Sequence, residues 1–191
     1  MVIGVLALQG DFEAHQKVLT ALGAASRVVR SPEDLDGLDG LVMPGGESTT
    51  MSLGIEREGL AAPLRQLIGA GTPTLATCAG LIMLDRDHLN LLDVKAKRNA
   101  FGRQIASFEA DLDVKALGET PFRAVFIRAP WVDQSGAEVE ILAEIDGHPV
   151  AVKQGSILGV AFHPELTDDG RVHRWLVDKI REQQQRIEEA A

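Results

Sequence analysis

Three segments far apart in the chain carry side chains able to hydrolyse an amide through a thiol. They are Pro44-Gly45-Gly46-Glu47-Ser48, Ala76-Thr77-Cys78-Ala79-Gly80 and Phe162-His163-Pro164-Glu165. Cys78 is the only cysteine. It stands where an apolar run meets a small-residue turn and then a helical pattern, a geometry that lifts a nucleophile out of a sheet. A lone Cys with His and acidic partners distant in sequence is a candidate nucleophile. In an extended segment residues two apart point the same way, so Glu165 can reach the imidazole of His163. A carboxylate there would fix the tautomer and stabilise the imidazolium formed when the base takes a proton. The Gly45-Gly46 turn can expose backbone N–H groups to an oxyanion, with Ser48 as cap of the next helix. No Lys-Ser/Thr follows those glycines, so the turn is not a phosphate loop. Each segment has a bland alternative: a buried small hydrophobe for Cys78, a strand-ending turn for His163-Pro164. Their joint occurrence favours catalysis.

The elements around these segments predict where they meet. Val2–Leu8 is apolar on both alternating faces, as in a strand buried between helix layers. Asp11 can cap a helix with the stripe Phe12, His15, Leu19 and Leu22, ended by Gly23. A strand over Ser26–Val29 follows, then a helix start at Ser31-Pro32-Glu33-Asp34 and a strand at Leu41–Met43. Helical patterning covers Thr49–Ala70 with a break near Gly59, and Thr74–Thr77 is the fourth strand. This order predicts an α/β fold with a doubly wound, mostly parallel sheet, whose ligands bind at the carboxyl ends of the strands. Gly46 and Cys78 both fall at such ends. The second half reads as strands at Phe108–Val114, Arg123–Ile127, Val139–Ile145, Val150–Lys153 and Ile157–Phe162. Asp146-Gly147 and Gln154-Gly155 mark tight turns. These strands are expected as antiparallel additions to the sheet, the last delivering His163. A final helix spans about Asp168–Glu188 with Val172, Trp175, Leu176 and Ile180 buried. Residues 1–191 are expected to form one domain.

Bulk properties narrow the partners. A net charge of −9 over 191 residues argues against nucleic acid or an anionic membrane surface. With 45% hydrophobic and 25% charged residues the chain has an ordinary globular composition. One cysteine cannot make an internal disulfide, so a reducing, cytoplasmic setting is expected. The apolar N-terminus lacks a basic flank and reads as a strand, not a signal peptide, and no apolar run is long enough to span a membrane. No cofactor is expected, and no metal, since no ligand cluster with suitable spacing appears. His88, His148 and His173 fall outside every motif and are expected at the surface.

Taken together, the order Cys…His…Glu with Pro-Gly-Gly-Glu-Ser and His-Pro-Glu resembles the class I glutamine amidotransferases. Further blocks narrow the likeness: Leu8-Gln9-Gly10, Thr49-Thr50-Met51, Leu81-Ile82-Met83-Leu84, Arg98-Asn99-Ala100-Phe101-Gly102-Arg103-Gln104, Phe126-Ile127-Arg128-Ala129-Pro130 and Leu166-Thr167. They are similar to the glutaminase subunits of pyridoxal 5′-phosphate synthases. The resemblance implies hydrolysis of L-glutamine to glutamate and ammonia, with Cys78 as nucleophile, His163 as general acid/base and Glu165 as its orienter. It implies a glutamine pocket lined by Gly46, Glu47, Ser48, Arg98, Ile127 and Arg128, and an oxyanion held by the N–H groups of Gly46 and Ala79. It also implies a partner, a barrel-shaped oligomeric synthase that uses the ammonia to build the vitamin B6 cofactor. Gln9-Gly10 and the helix after it are expected to touch that partner; His15 faces either the partner or the core.

The chain departs from the family pattern at Ala76, where Gly is usual, and in a short segment from Asp85 to Lys97. Two rival readings remain at this level. A thiol peptidase or stress-related hydrolase would share the elbow but generally lacks His-Pro-Glu after a late strand. A non-enzymatic regulatory module would keep the fold, yet here Cys78, His163 and Glu165 are all intact.

Overall fold

In the computed structural model, which describes residues 1–102 and 107–190, the first half of the chain alternates strands and helices. In order these are β1 (Val2–Leu6), α1 (Phe12–Ala21), β2 (Ala25–Val29), β3 (Gly40–Met43), α2 (Ser48–Arg57), α3 (Ala61–Gly69), β4 (Thr74–Thr77) and α4 (Ala79–Leu84). The rest contributes β5 (Val94–Lys97), β6 (Ser107–Leu112), β7 (Phe122–Ile127), β8 (Trp131–Ser135), β9 (Glu140–Ile145), β10 (His148–Gln154), β11 (Ile157–Val160) and α5 (Arg171–Ala190). Arg103 and Gln104, part of one motif block, lie outside the described residues.

Seven strands form the main sheet in the order β2-β1-β3-β4-β11-β10-β9. β1 pairs parallel with β2 and β3, β3 with β4, and β4 with β11. Every residue of β3, β4 and β11 is buried, so both faces of the sheet are covered. Their continuous apolar runs are what a sheet wrapped on both faces requires. β1, β3, β4 and β11 are neighbours, and all four run the same way. Their carboxyl ends therefore bring Gln9, Gly46, Cys78 and His163 to one rim.

The first half follows the predicted order with one exception. No full helix follows Ser31; a single 3₁₀ turn at Pro32–Leu35 stands there. Asp34 folds back to accept the N–H groups of Arg30 and Ser31, both at 2.9 Å. Gly37, at φ +69°, then turns the chain away into β3. The helical stretch after Gly46 does break near Gly59, into α2 and α3.

The second half differs more from expectation. β10 and β9 extend the sheet antiparallel, joined by Asp146 and Gly147 with φ of 51° and 76°. Positive φ at both central residues is the type I′ hairpin signature. β11, however, rejoins the sheet parallel to β4. β6 and β7 form a separate antiparallel pair, as do β5 and β8, which the sequence did not predict. The β6–β7 ribbon docks by aromatic contacts: Phe108 stacks on Phe126 at 4.6 Å, and Phe126 meets the Phe162 edge at 5.6 Å. The His163 N–H donates to Val125 O at 2.9 Å, tying the segment after β11 to β7.

α5 begins at Arg171, later than Asp168. Asp169 accepts from the Arg171 N–H at 3.1 Å and pairs with its guanidinium, which holds the preceding turn out of the helix. Among the described residues no helix is long and apolar enough to cross a membrane.

Candidate functional site

The turn between β4 and α4 holds Cys78 at φ 47°, ψ −104°, a backbone conformation costly for any residue but glycine. Two contacts hold it there. The Cys78 N–H donates to Val160 O at 2.8 Å, which locks the turn to β11. On the other side Gly80 packs so tightly on β3 that an added Cβ would stand 2.0 Å from Met43 O. The thiol itself is almost buried, with 6% of the residue exposed, and lies at the wall of a cleft of about 210 Å³.

His163 comes from the other side of that cleft. Gly45 is the wedge between them. A methyl group at Gly45 would meet His163 Cε1 at 2.5 Å and Cys78 Cβ at 3.1 Å. Only hydrogen lets the imidazole and the thiol close on this turn. His163 Nδ1 lies 2.7 Å from Glu165 Oε1, and Pro164 starts a 3₁₀ turn that swings the carboxylate under the ring. Burial is the largest single influence on His163 and pulls its pKa down. Hydrogen bonds with Cys78 and Glu165, and their charges, together outweigh it, so the ring is pushed up to about 10. Its resting form at neutral pH is the imidazolium.

The rim opposite is more exposed and differently built. Glu47, not Ser48, caps α2: its carboxylate accepts from the N–H groups of Thr49 at 3.1 Å and Thr50 at 2.7 Å. Ser48 is the first helical residue, and the longer Glu47 side chain reaches the free N–H groups that a serine there would not. Those bonds, Thr50 first and then Thr49, push Glu47 down to about 2. Arg98 bridges to Glu47 at 3.0 Å and to Thr49 Oγ1 at 3.2 Å.

Gly46, Glu47, Ser48, Cys78, Ala79, Arg98, Ile127, Arg128 and His163 all line this one cleft; Glu165 lies behind His163, buried. Every site residue predicted from sequence is therefore at or behind the same rim. Three of the five non-glycine residues with positive φ among the described residues, Cys78, Asn99 and Arg128, line it as well. Backbone strain gathers at functional sites because the surroundings over-determine it. Gln9 was expected at a partner surface, yet it also lines the cleft. Its Oε1 accepts the Glu47 N–H at 2.5 Å and fills the space beside Gly46, whose φ is +146°.

One expectation about histidines fails and one open alternative is decided. His173 is fully buried on α5, because it falls on the same helical face as Leu176, Val177 and Ile180. His15 is likewise buried and faces the core. His88 is half-buried against Asp85 at 2.7 Å, and His148 stacks on Trp131 at 3.6 Å.

Comparison with known proteins decides the family. The profile of the SNO glutamine amidotransferase family matches residues 5–182. The chain belongs to the SNO glutamine amidotransferase family. Within it, the chain is 52% identical over 186 residues to the pyridoxal 5′-phosphate synthase subunit PdxT of Pelotomaculum thermopropionicum, covering 94% of this chain and 95% of that protein. It is 49% identical over 187 residues to the same subunit of Bacillus licheniformis, covering 94% and 95%. A crystal structure of a glutamine amidotransferase superposes with a TM-score of 0.87 at 43% identity, covering 94% of this chain and 99% of that one. The mostly parallel sheet with its antiparallel extension is thus the fold of this family of glutamine amidotransferases.

Proposed function

We propose that this chain is the glutaminase subunit of a pyridoxal 5′-phosphate synthase, hydrolysing L-glutamine and passing ammonia to the synthase subunit. The observation that carries the reading is a strained cysteine facing a histidine–carboxylate pair across a small cleft, in a chain so similar to PdxT subunits.

The geometry supports a two-stage hydrolysis. Cys78 Sγ attacks the side-chain carbonyl carbon of glutamine, and the carbonyl π electrons move onto oxygen. The Ala79 and Gly46 N–H groups are the donors this reading assigns to that oxyanion. When the tetrahedral centre collapses, His163, resting as imidazolium, protonates the departing nitrogen and ammonia leaves. The neutral ring then takes a proton from water, whose oxygen attacks the glutamyl thioester; glutamate departs and the thiolate returns. Glu165 holds the ring by Nδ1 throughout. The substrate's α-carboxylate suits Arg98 and Arg128, which can grip it through paired hydrogen bonds. Its α-ammonium suits Glu47.

Gln9 and α1 are the surface this reading gives to the synthase, and a single domain in the cytoplasm fits the ammonia hand-over. The test is ammonia release from glutamine with and without a synthase subunit. Cys78→Ala should abolish it, by about 10⁴-fold or more, while a glutamine-like chloroketone should label wild type at Cys78 only. Equal ammonia release by Cys78→Ala would end the reading. Hydrolysis of peptides instead of glutamine would transfer it to the thiol peptidases.

A further inference from the structure

Glu165 has a second neighbour that the hydrolysis does not use. Its Oε2 is buried and makes no hydrogen bond among the described residues; the nearest nitrogen paired with it is His15 Nε2, which approaches to 3.4 Å. His15 Nδ1 in turn lies 2.8 Å from His173 Nε2, with the rings 5.1 Å apart and tilted by 49°. Thr77, one residue before the thiol, places Oγ1 3.4 Å from His15 Nε2. Both rings are completely buried. A chain of side chains therefore runs from Cys78 through His163 and Glu165 into the interior, ending on α5.

Its protons can be assigned from the donors alone. Burial, only partly offset for His15 by Glu165, pushes His15 and His173 each down to about 4, so both are neutral at pH 7. The titratable groups facing His15 are Glu165, His173 and His163. A neutral imidazole has one N–H and one bare nitrogen. If Glu165 accepts through both oxygens, His15 carries its proton on Nε2 and its Nδ1 accepts. His173 must then be protonated on Nε2 and leave Nδ1 bare. That nitrogen is indeed buried with no partner. A bare lone pair is less costly to bury than a stranded N–H, which the opposite assignment would put there.

We propose that His15 and His173 are positioning residues for glutamine hydrolysis: a neutral histidine pair that presents one fixed N–H to Glu165 and so sets the carboxylate beneath His163. The inference rests on the glutaminase reading for its substrate but not for its geometry. Replacing both histidines by apolar groups removes their mutual hydrogen bond at little cost, but takes from the buried Glu165 Oε2 the nitrogen that faces it. The pair therefore gives Glu165 a defined orientation that an apolar filling would not.

The test uses the double variant His15→Leu/His173→Leu and the conservative variant His15→Gln, whose amide nitrogen reaches the position of Nε2. Turnover is measured with the synthase subunit present, together with the pH profile of Cys78 alkylation by iodoacetamide. The double variant should remain folded at pH 7.5 with a lowered melting temperature, lose kcat by about tenfold, as when an outer partner of a ligating histidine is removed, and keep KM within about twofold. Its alkylation profile should shift to lower pH on the alkaline side, and His15→Gln should recover most of kcat. Unchanged kcat with an unchanged alkylation profile would overturn the proposal. If the double variant does not fold, ¹⁵N spectra of the wild-type imidazoles decide: a proton on His15 Nδ1 overturns the assignment, and protons on both Nε2 atoms support it. Should the wild type release no ammonia from glutamine, the substrate reading fails while the alkylation profile still reports on the pair.

Discussion

The inner wall of the cleft and its outer rim are built on opposite plans. Inward, Glu165, His15 and His173 are buried and His163 is only slightly exposed, and most of their polar atoms have a fixed partner. Outward, Arg98 and Glu47 are about half-exposed, and the bridge between them is open to water. Exposed ion pairs contribute little to stability and weaken with salt. On the proposed reading, proton transfer is prepared before any substrate arrives, whereas the groups assigned to grip the amino acid remain free to rearrange. Orientation is set by the core; recognition is left to the surface.

Breaking the inner wall should have the largest effect. Glu165→Gln keeps the shape but removes the charge that helps hold His163 as imidazolium. By analogy with amide replacement in a serine protease triad, kcat should fall by about 10³- to 10⁴-fold. The alkaline limb of the activity profile should also move to lower pH, read from initial rates between pH 6 and 10. A retained limb would show that Cys78 alone raises His163.

Acid should expose the same wall through stability. Unfolding lets His15 and His173 take up protons below about pH 6.5, while the folded protein refuses them until about pH 4. Stability should drain as the pH falls through that window, by an amount on the order of a few kcal/mol. His163 acts in the opposite sense. Its folded pKa of about 10 gives stability that is complete below about pH 6.5 and is lost as the pH rises through 10. Melting temperatures measured from pH 4.5 to 10 should therefore peak near neutrality. Replacing both buried histidines by leucine should flatten the acid side only.

The outer rim should yield the smallest effect. Arg98→Gln should raise KM for glutamine by roughly tenfold, the loss of one charged hydrogen bond, with little change in kcat. Added salt should narrow the gap between variant and wild type. A fall in kcat at constant KM would place Arg98 on the inner wall after all.

The convergence of the predicted site residues on one rim was legible because its signals are local. Gly45 and Gly46 sit beside side chains, and Gly80 beside the Met43 backbone, that come close, and the apolar runs of β1, β3 and β4 can only be buried strands. The separate ribbons were not. β5 and β8 expose charged or polar residues at most positions, so their patterns carry little apolar contrast. That β6 and β7 pair with each other, and not with the sheet, depends on Phe101, Phe126 and Phe162 clustering far apart in sequence. His173 was missed because a histidine was assumed to seek water. The spacing to Val177 and Ile180 already set it on the buried stripe, and reading position ahead of residue type would have found it.

The peptide nitrogen of Cys78 is committed to the carbonyl of Val160. An electrophilic inhibitor captured by this thiol cannot count on the Cys78 amide to stabilise its new negative charge. Warheads whose charged atom points away from β11 avoid that competition. Those that project it toward the sheet would have to tear the elbow from its neighbour.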